Sequence, residues 1–219
     1  MPYIGYPVIS SDVILMLHFE EDDDSTTLVD SSSYNRTGSF TGNSNVSTTS
    51  PMYGSGSLLL DTTGEYITVN YATCMDWGTG DFCLEGFCEF SSLTNGGIFH
   101  LHPSLPSNSL DGLAIGYDGT QLQIYLNNTN YTRTWSPSTG VKYHWCMERV
   151  SGSVTVYIDG TAMGASISYT VLVGTNNAYI GLYYSTSFTF NGKIDEVRFW
   201  KKSVYGGNFT PPTPPLSNT

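Results

Sequence analysis

Hydrophobic residues in this chain never sustain a helical period. Between residues 13 and 200, short runs rich in Val, Ile, Tyr and Phe recur about every 8–15 residues, each closed by Gly, Asn or Asp. That pattern predicts an all-β sandwich, with strands at 13–19, 57–60, 65–69, 81–90, 97–102, 112–117, 121–126, 143–150, 153–158, 178–184 and 190–200. Two Asp-Gly pairs, Asp118-Gly119 and Asp159-Gly160, stand where tight hairpins need positive φ. In the second, Val154, Val156 and Ile158 alternate with Ser153, Thr155 and Tyr157. Residues 21–56 carry mainly Ser, Thr, Asn, Asp and Gly and are expected to form one long surface loop.

The chain has 219 residues, 39 % hydrophobic and 12 % charged, enough to bury a core and within the range of one domain. With 8 Lys and Arg against 19 Asp and Glu, the formal charge is −11, which excludes a phosphate-binding basic face and with it nucleic acid as a partner. The longest early apolar run, Val13 to Leu17, falls far short of the roughly 20 residues of a membrane span, so no membrane partner is expected. No basic segment precedes it in the manner of a secretory signal, so synthesis in a cytoplasm is expected. Cys74, Cys83, Cys88 and Cys146 are too sparse for a disulfide framework and lack zinc-ligand spacing. They are expected to be buried thiols.

Several segments in order carry a family resemblance. These are Leu15-Met16-Leu17-His18-Phe19-Glu20 with Asp30-Ser31-Ser32-Ser33, Tyr53-Gly54-Ser55-Gly56-Ser57-Leu58-Leu59-Leu60, Gly64-Glu65-Tyr66-Ile67-Thr68-Val69, and Gly80-Asp81-Phe82-Cys83-Leu84-Glu85-Gly86-Phe87. Tyr143 to Arg149, Val154 to Gly160 and Asn191 to Phe199 complete the set. Together they resemble the laminin-G-like branch of the concanavalin A-like jelly rolls. The resemblance implies a two-sheet antiparallel jelly-roll sandwich over residues 13–205, preceded by an extended arm at 1–12 and followed by a Pro-rich tail at 206–219. The family's roles range over carbohydrate binding, adhesion and plain structure, so fold alone does not decide the function.

Among candidate sites, strict alternation through the last strand puts Asp195, Val197 and Phe199 on one face and Glu196, Arg198 and Trp200 on the other. With the first face in the core, Asp195 would be a buried carboxylate in need of partners. Related jelly rolls often hold calcium there, so the resemblance implies a structural calcium ion bound by Asp195 with Glu20 or Asp30. The alternative is an Asp195 satisfied by hydrogen bonds beside a solvated acidic loop. His100 and His102 share a strand face but have no evident third metal ligand, and His144 suits a packed, hydrogen-bonded imidazole. Glu85 and Glu89 imitate the outer carboxylates of a retaining glucanase strand, but Phe87 fills the central acidic position, so no enzyme is expected. Tyr71, Trp77, Tyr117, Tyr131, Trp135, Tyr183, Tyr184 and Trp200 suit stacking on sugar rings or packing in the core. The loop Leu101 to Gly112 is a candidate rim element.

The two ends carry a narrower resemblance. Met1-Pro2-Tyr3-Ile4-Gly5 is similar to the start of many phage tail proteins, and Tyr205-Gly206-Gly207-Asn208-Phe209-Thr210-Pro211-Pro212 to the end of laminin-G-like modules in aquatic phage virions. This implies a virion-surface protein that binds host cell-surface glycans or mediates attachment. Its partners would include other virion structural proteins, in a homo-oligomer or larger assembly. The alternative is a structural decoration protein anchored by its ends.

Overall fold

Asp159 and Gly160 both have positive φ, 48° and 72°, as a two-residue type I′ hairpin requires. They join strands whose outer residues Ile158 and Thr161 are paired. At Asp118-Gly119 only the glycine turns left-handed, at 94°. There the Asp118 side chain accepts the Thr120 and Gln121 N–H groups at 2.8 and 2.7 Å and holds a longer turn. The computed structural model describes residues 10–70, 78–102, 112–169, 177–183 and 185–217.

Sixteen strands follow in chain order among these residues: β1 Val13–Leu17, β2 Gly38–Thr41, β3 Asn45–Ser47, β4 Ser57–Leu60, β5 Tyr66–Val69, β6 Phe82–Phe90, β7 Gly96–His102, β8 Leu113–Tyr117, β9 Gln121–Leu126, β10 Thr129–Thr134, β11 Lys142–Val150, β12 Ser153–Ile158, β13 Thr161–Ala162, β14 Ile167–Ser168, β15 Asn177–Ile180 and β16 Gly192–Trp200. The first sheet runs β13-β12-β11-β6-β16-β4-β3, with β1 also on β16 and β14 also on β12. The second runs β10-β9-β8-β7-β15-β5-β2. Every strand pairing is antiparallel, and the core between the sheets gathers Ile14, Leu84, Phe99, Ile115, Trp145, Met147, Val197 and Phe199. The fold is the all-β jelly-roll sandwich that the sequence predicts.

Three expectations need correction. The segment 21–56 is not one loop: β2 and β3 cross it, one on each sheet. β10 was not expected, because Thr-Asn-Tyr-Thr-Arg-Thr offers no apolar face. Its signal is the preceding Asn127-Asn128 pair, whose φ values of 47° and 62° make a second two-residue hairpin. The third concerns Asp195. Asp195 opposes Phe87 and Arg198 opposes Glu85, so Glu196 and Val197 together face one residue of β6. Glu196, with φ of 51°, is the extra residue of a β-bulge. The bulge resets the alternation, so Ile194, Val197 and Phe199 enter the core. Asp195 is buried on the opposite, outer face of the first sheet.

That outer face is itself covered. Cys83, Phe87, Cys146, Tyr157 and Trp200 form a second apolar cluster with Met52, Leu216, Tyr205 and Phe209 from segments lying across the sheet.

Candidate functional site

The three carboxylates expected to share a calcium ion are each held by protein donors. Asp30 accepts the Met16, Ser32 and Arg36 N–H groups at 2.9, 3.0 and 2.8 Å and the Ser32 hydroxyl at 2.8 Å. Four donors fill both of its oxygens. Glu20 accepts the Ser55 N–H at 2.7 Å and the Ser55 hydroxyl. Asp195 accepts the Tyr53 and Glu196 N–H groups at 3.1 and 2.8 Å and the Ser57 hydroxyl at 2.8 Å. Calcium needs six to eight oxygens; Asp30 and Asp195 turn their oxygens to N–H and O–H donors, while the donors on exposed Glu20 engage its Oε2. Among the described residues no group of three or more His, Cys, Asp or Glu could hold a metal. Burial, opposed by the Ser57 hydrogen bond and aided by the Glu196 charge, pushes the Asp195 carboxyl up to about 8.

Glu85 lies within the outer face of the first sheet, fully buried. Its Oε1 takes the Arg198 Nε and Nη2 at 2.8 and 2.7 Å and the Trp200 indole at 3.0 Å. Its Oε2 takes the Tyr205 hydroxyl at 2.6 Å and lies 3.1 Å from His144 Nε2. Burial alone would raise this carboxyl, but the His144 hydrogen bond and the Arg198 charge outweigh it and hold it at about 2. Phe87, two residues on, packs edge-on against Tyr53 and His144. The residues imitating a glucanase pair therefore include one that is sealed and fully engaged.

Of the stacking candidates, Tyr117, Trp135, Tyr183 and Trp200 are buried. Tyr117 and Trp135 join Phe90, Phe190 and Tyr143 in an aromatic cluster with centroids 4.8–5.8 Å apart. Tyr131 packs partly buried against the core. His100 and His102 are buried on β7 with rings 5.3 Å apart, and His100 Nδ1 bonds the Tyr183 carbonyl at 2.9 Å. Cys83, Cys88 and Cys146 are buried free thiols. Tyr71, Cys74, Trp77, Tyr184 and most of the loop Leu101 to Gly112 lie outside the described residues.

The site that sequence reasoning missed opens at the end of the sandwich, beyond the aromatic cluster. Phe190 reaches it from inside, and three connections surround it. Thr62 and Thr63 come from the β4–β5 turn, Thr94 and Asn95 from the β6–β7 turn, and Ser187, Thr189 and Asn191 from the segment before β16. The cavity measures about 130 Å³, below the ~300–1,000 Å³ of drug-sized sites. Its walls are braced. Buried Glu65 accepts the Asp61 and Thr62 N–H groups at 2.7 and 2.9 Å. Thr189 Oγ1 accepts the Gly64 N–H, and Asn191 Nδ2 donates to the Asp61 carbonyl, both at 3.0 Å. Apart from Phe190, each lining residue is a polar residue in a turn or loop, indistinguishable by composition from a solvated one.

A laminin G-type family model, described as the concanavalin A-like lectin/glucanases superfamily, matches residues 61–205. No curated protein matches. Among solved structures, domain 4 of the extracellular arabinanase AbnA from Geobacillus stearothermophilus, in complex with arabinotriose, is 18 % identical. Its TM-score is 0.67, with 88 % of this chain and 94 % of that one covered. Trypanosoma rangeli sialidase in complex with sialic acid is 17 % identical at a TM-score of 0.67, covering 91 % of this chain and 32 % of that one. The binding domain of botulinum neurotoxin DC, in complex with rat synaptotagmin II, is 16 % identical at 0.61, covering 90 % and 49 %. This chain thus spans about a third of the sialidase and half of the toxin domain.

Proposed function

Since the chain belongs to the laminin G-like family of the concanavalin A-like lectin/glucanases superfamily, we propose that it is a non-enzymatic glycan-binding module whose saccharide site is the end pocket. The observation that carries this reading is the pocket wall. It presents hydroxyl and amide groups of Thr62, Thr63, Thr94, Asn95, Ser187 and Asn191 with no charged side chain, beside one aromatic ring. Such groups match the alternating donors and acceptors of sugar hydroxyls, and buried Phe190 closes the floor of the pocket from the core side. Bracing by Glu65 and Thr189 reduces the ordering cost on binding. The small volume suits one sugar residue or the end of a chain.

Titration of the purified protein against a glycan panel tests the reading. Saturable binding competed by free sugar is expected, weakened about fivefold by Asn95→Ala or Asn191→Ala, since one lost hydrogen bond is worth about 1 kcal/mol. Binding indifferent to both substitutions would refute the pocket. The non-enzymatic part rests on the engagement of Glu85 and is tested by incubation with the bound polymer, from which no reducing ends should be released. We assign the protein to a virion surface on the resemblance of its two ends. Mass spectrometry of purified particles checks this, and its absence from them would overturn the assignment. A folded protein that binds no saccharide would favour the decoration role instead.

A further inference from the structure

Residues 204–217 lie as a strap across the outer face of the first sheet, and that face is built to receive them. Glu148, fully buried on β11, accepts three successive N–H groups, those of Val204, Tyr205 and Gly206, at 2.5, 2.7 and 2.8 Å. The Tyr205 hydroxyl donates to Glu85. The Tyr205 and Phe209 rings stack at 3.6 Å, and Phe209 packs against Tyr157 and His144 at 5.4 and 5.6 Å. The Phe209 N–H donates to the Gly160 carbonyl at 3.0 Å, and Asn208 Oδ1 accepts the Ala162 N–H at 3.0 Å. Further along, the Leu216 N–H donates to Glu196 at 2.7 Å and Leu216 is buried.

Gly160 shows how closely the two are fitted. A Cβ there would stand 1.9 Å from the Phe209 carbonyl oxygen, so any side chain would displace the strap. Yet the core between the sheets contains no strap residue. The core between the sheets closes without the strap, whereas an empty groove leaves Glu148 without its three N–H donors and uncovers Phe87, Tyr157 and Trp200. The strap is thus a ligand joined to its receptor through Lys201, Lys202 and Ser203, all exposed or half-buried. Its four prolines, Pro211, Pro212, Pro214 and Pro215, restrict its backbone and lower the entropy lost on docking.

We propose that this groove is a docking site for a second copy of the chain, which inserts its own residues 204–217 in place of the resident strap. Exchange preserves every contact described above and changes only which sandwich the strap comes from, the low-cost route by which identical chains join. The reading is independent of the end pocket.

Complementation tests it with full-length chains. The acceptor carries Tyr205→Ser and Phe209→Ser, which disable its strap and leave its groove intact. The donor carries Gly160→Val, which blocks its groove and frees its strap. Near-UV circular dichroism reports folding, and a single Phe209→Ser acceptor replaces the double variant should that unfold. A synthetic peptide of residues 203–217 should bind the acceptor saturably and the donor at least tenfold more weakly. Mixed donor and acceptor should sediment as a 1:1 dimer that the peptide dissociates. No peptide binding to the folded acceptor would overturn the groove as a docking site. Peptide binding without dimer formation, at concentrations up to tenfold above the peptide's Kd, would overturn exchange between copies.

Discussion

Buried charge dictates what individual residues do here. Glu85 offsets Arg198 in a site closed to water, so Glu85→Gln leaves a buried guanidinium without its counter-charge. That should cost about 3–5 kcal/mol in urea unfolding at neutral pH. Asp195 acts in the opposite sense. Its carboxyl sits at about 8 in the fold because of burial, against about 3.9 in an unfolded chain, so the fold favours the protonated form. The associated stability is complete below about pH 4 and is lost as the pH rises towards 8. His18, raised above 6.5 by its hydrogen bond to Glu196 and only partly opposed by burial, adds to the same trend. Its contribution is full below 6.5 and lost as the pH passes its raised value. Unfolding free energy measured from pH 4 to 9 should therefore fall with pH over this window, and Asp195→Asn should flatten the fall. An unchanged slope would contradict a buried, proton-binding Asp195. The burial of this residue was legible in the sequence, but its face was not, because alternation assumes one residue per pairing and Glu196 breaks that count.

Elements were legible where turn chemistry or apolar alternation marked them. β12 and the Asp159-Gly160 hairpin follow directly from residue type, and β9 occupies the expected residues. β2, β3 and β10 escaped because they are short or polar and lie at or near sheet edges, where one face and one edge are solvated. The strap escaped for a different reason. A Gly- and Pro-rich segment reads as a linker, and what makes it an element is Glu148 on a strand some sixty residues away in sequence. Glu148→Ala removes the acceptor of three N–H groups, an anchor worth about 2–3 kcal/mol. The strap should then release before the sandwich opens. Limited trypsin digestion, followed by mass spectrometry, is expected to cut this variant at Lys201 or Lys202 while the remaining chain stays folded. Equal resistance of variant and wild type would show that Glu148 does not anchor the strap.

For the whole molecule, the sandwich brings together what the sequence scatters. The ordered family segments made the fold legible, but the end pocket draws on three connections spread from Thr62 to Asn191, and none of its polar side chains is unusual for a turn. The calcium expectation came from acidic residues whose partners were invisible in sequence. With Asp195, Glu20 and Asp30 held by backbone and hydroxyl donors, the melting temperature should be the same in millimolar calcium and in chelator, by calorimetry. A rise with calcium would show an ion bound by Asp195 with Glu20 or Asp30 instead. Saccharide binding in the end pocket is tested by isothermal titration of a glycan selected from the panel into wild type, Asn95→Ala and the strap variant Phe209→Ser. Wild type and Phe209→Ser should bind saturably, and Asn95→Ala about fivefold more weakly. Binding that survives Asn95→Ala unchanged but disappears with Phe209→Ser would place the ligand on the strap face and contradict a saccharide site in the end pocket.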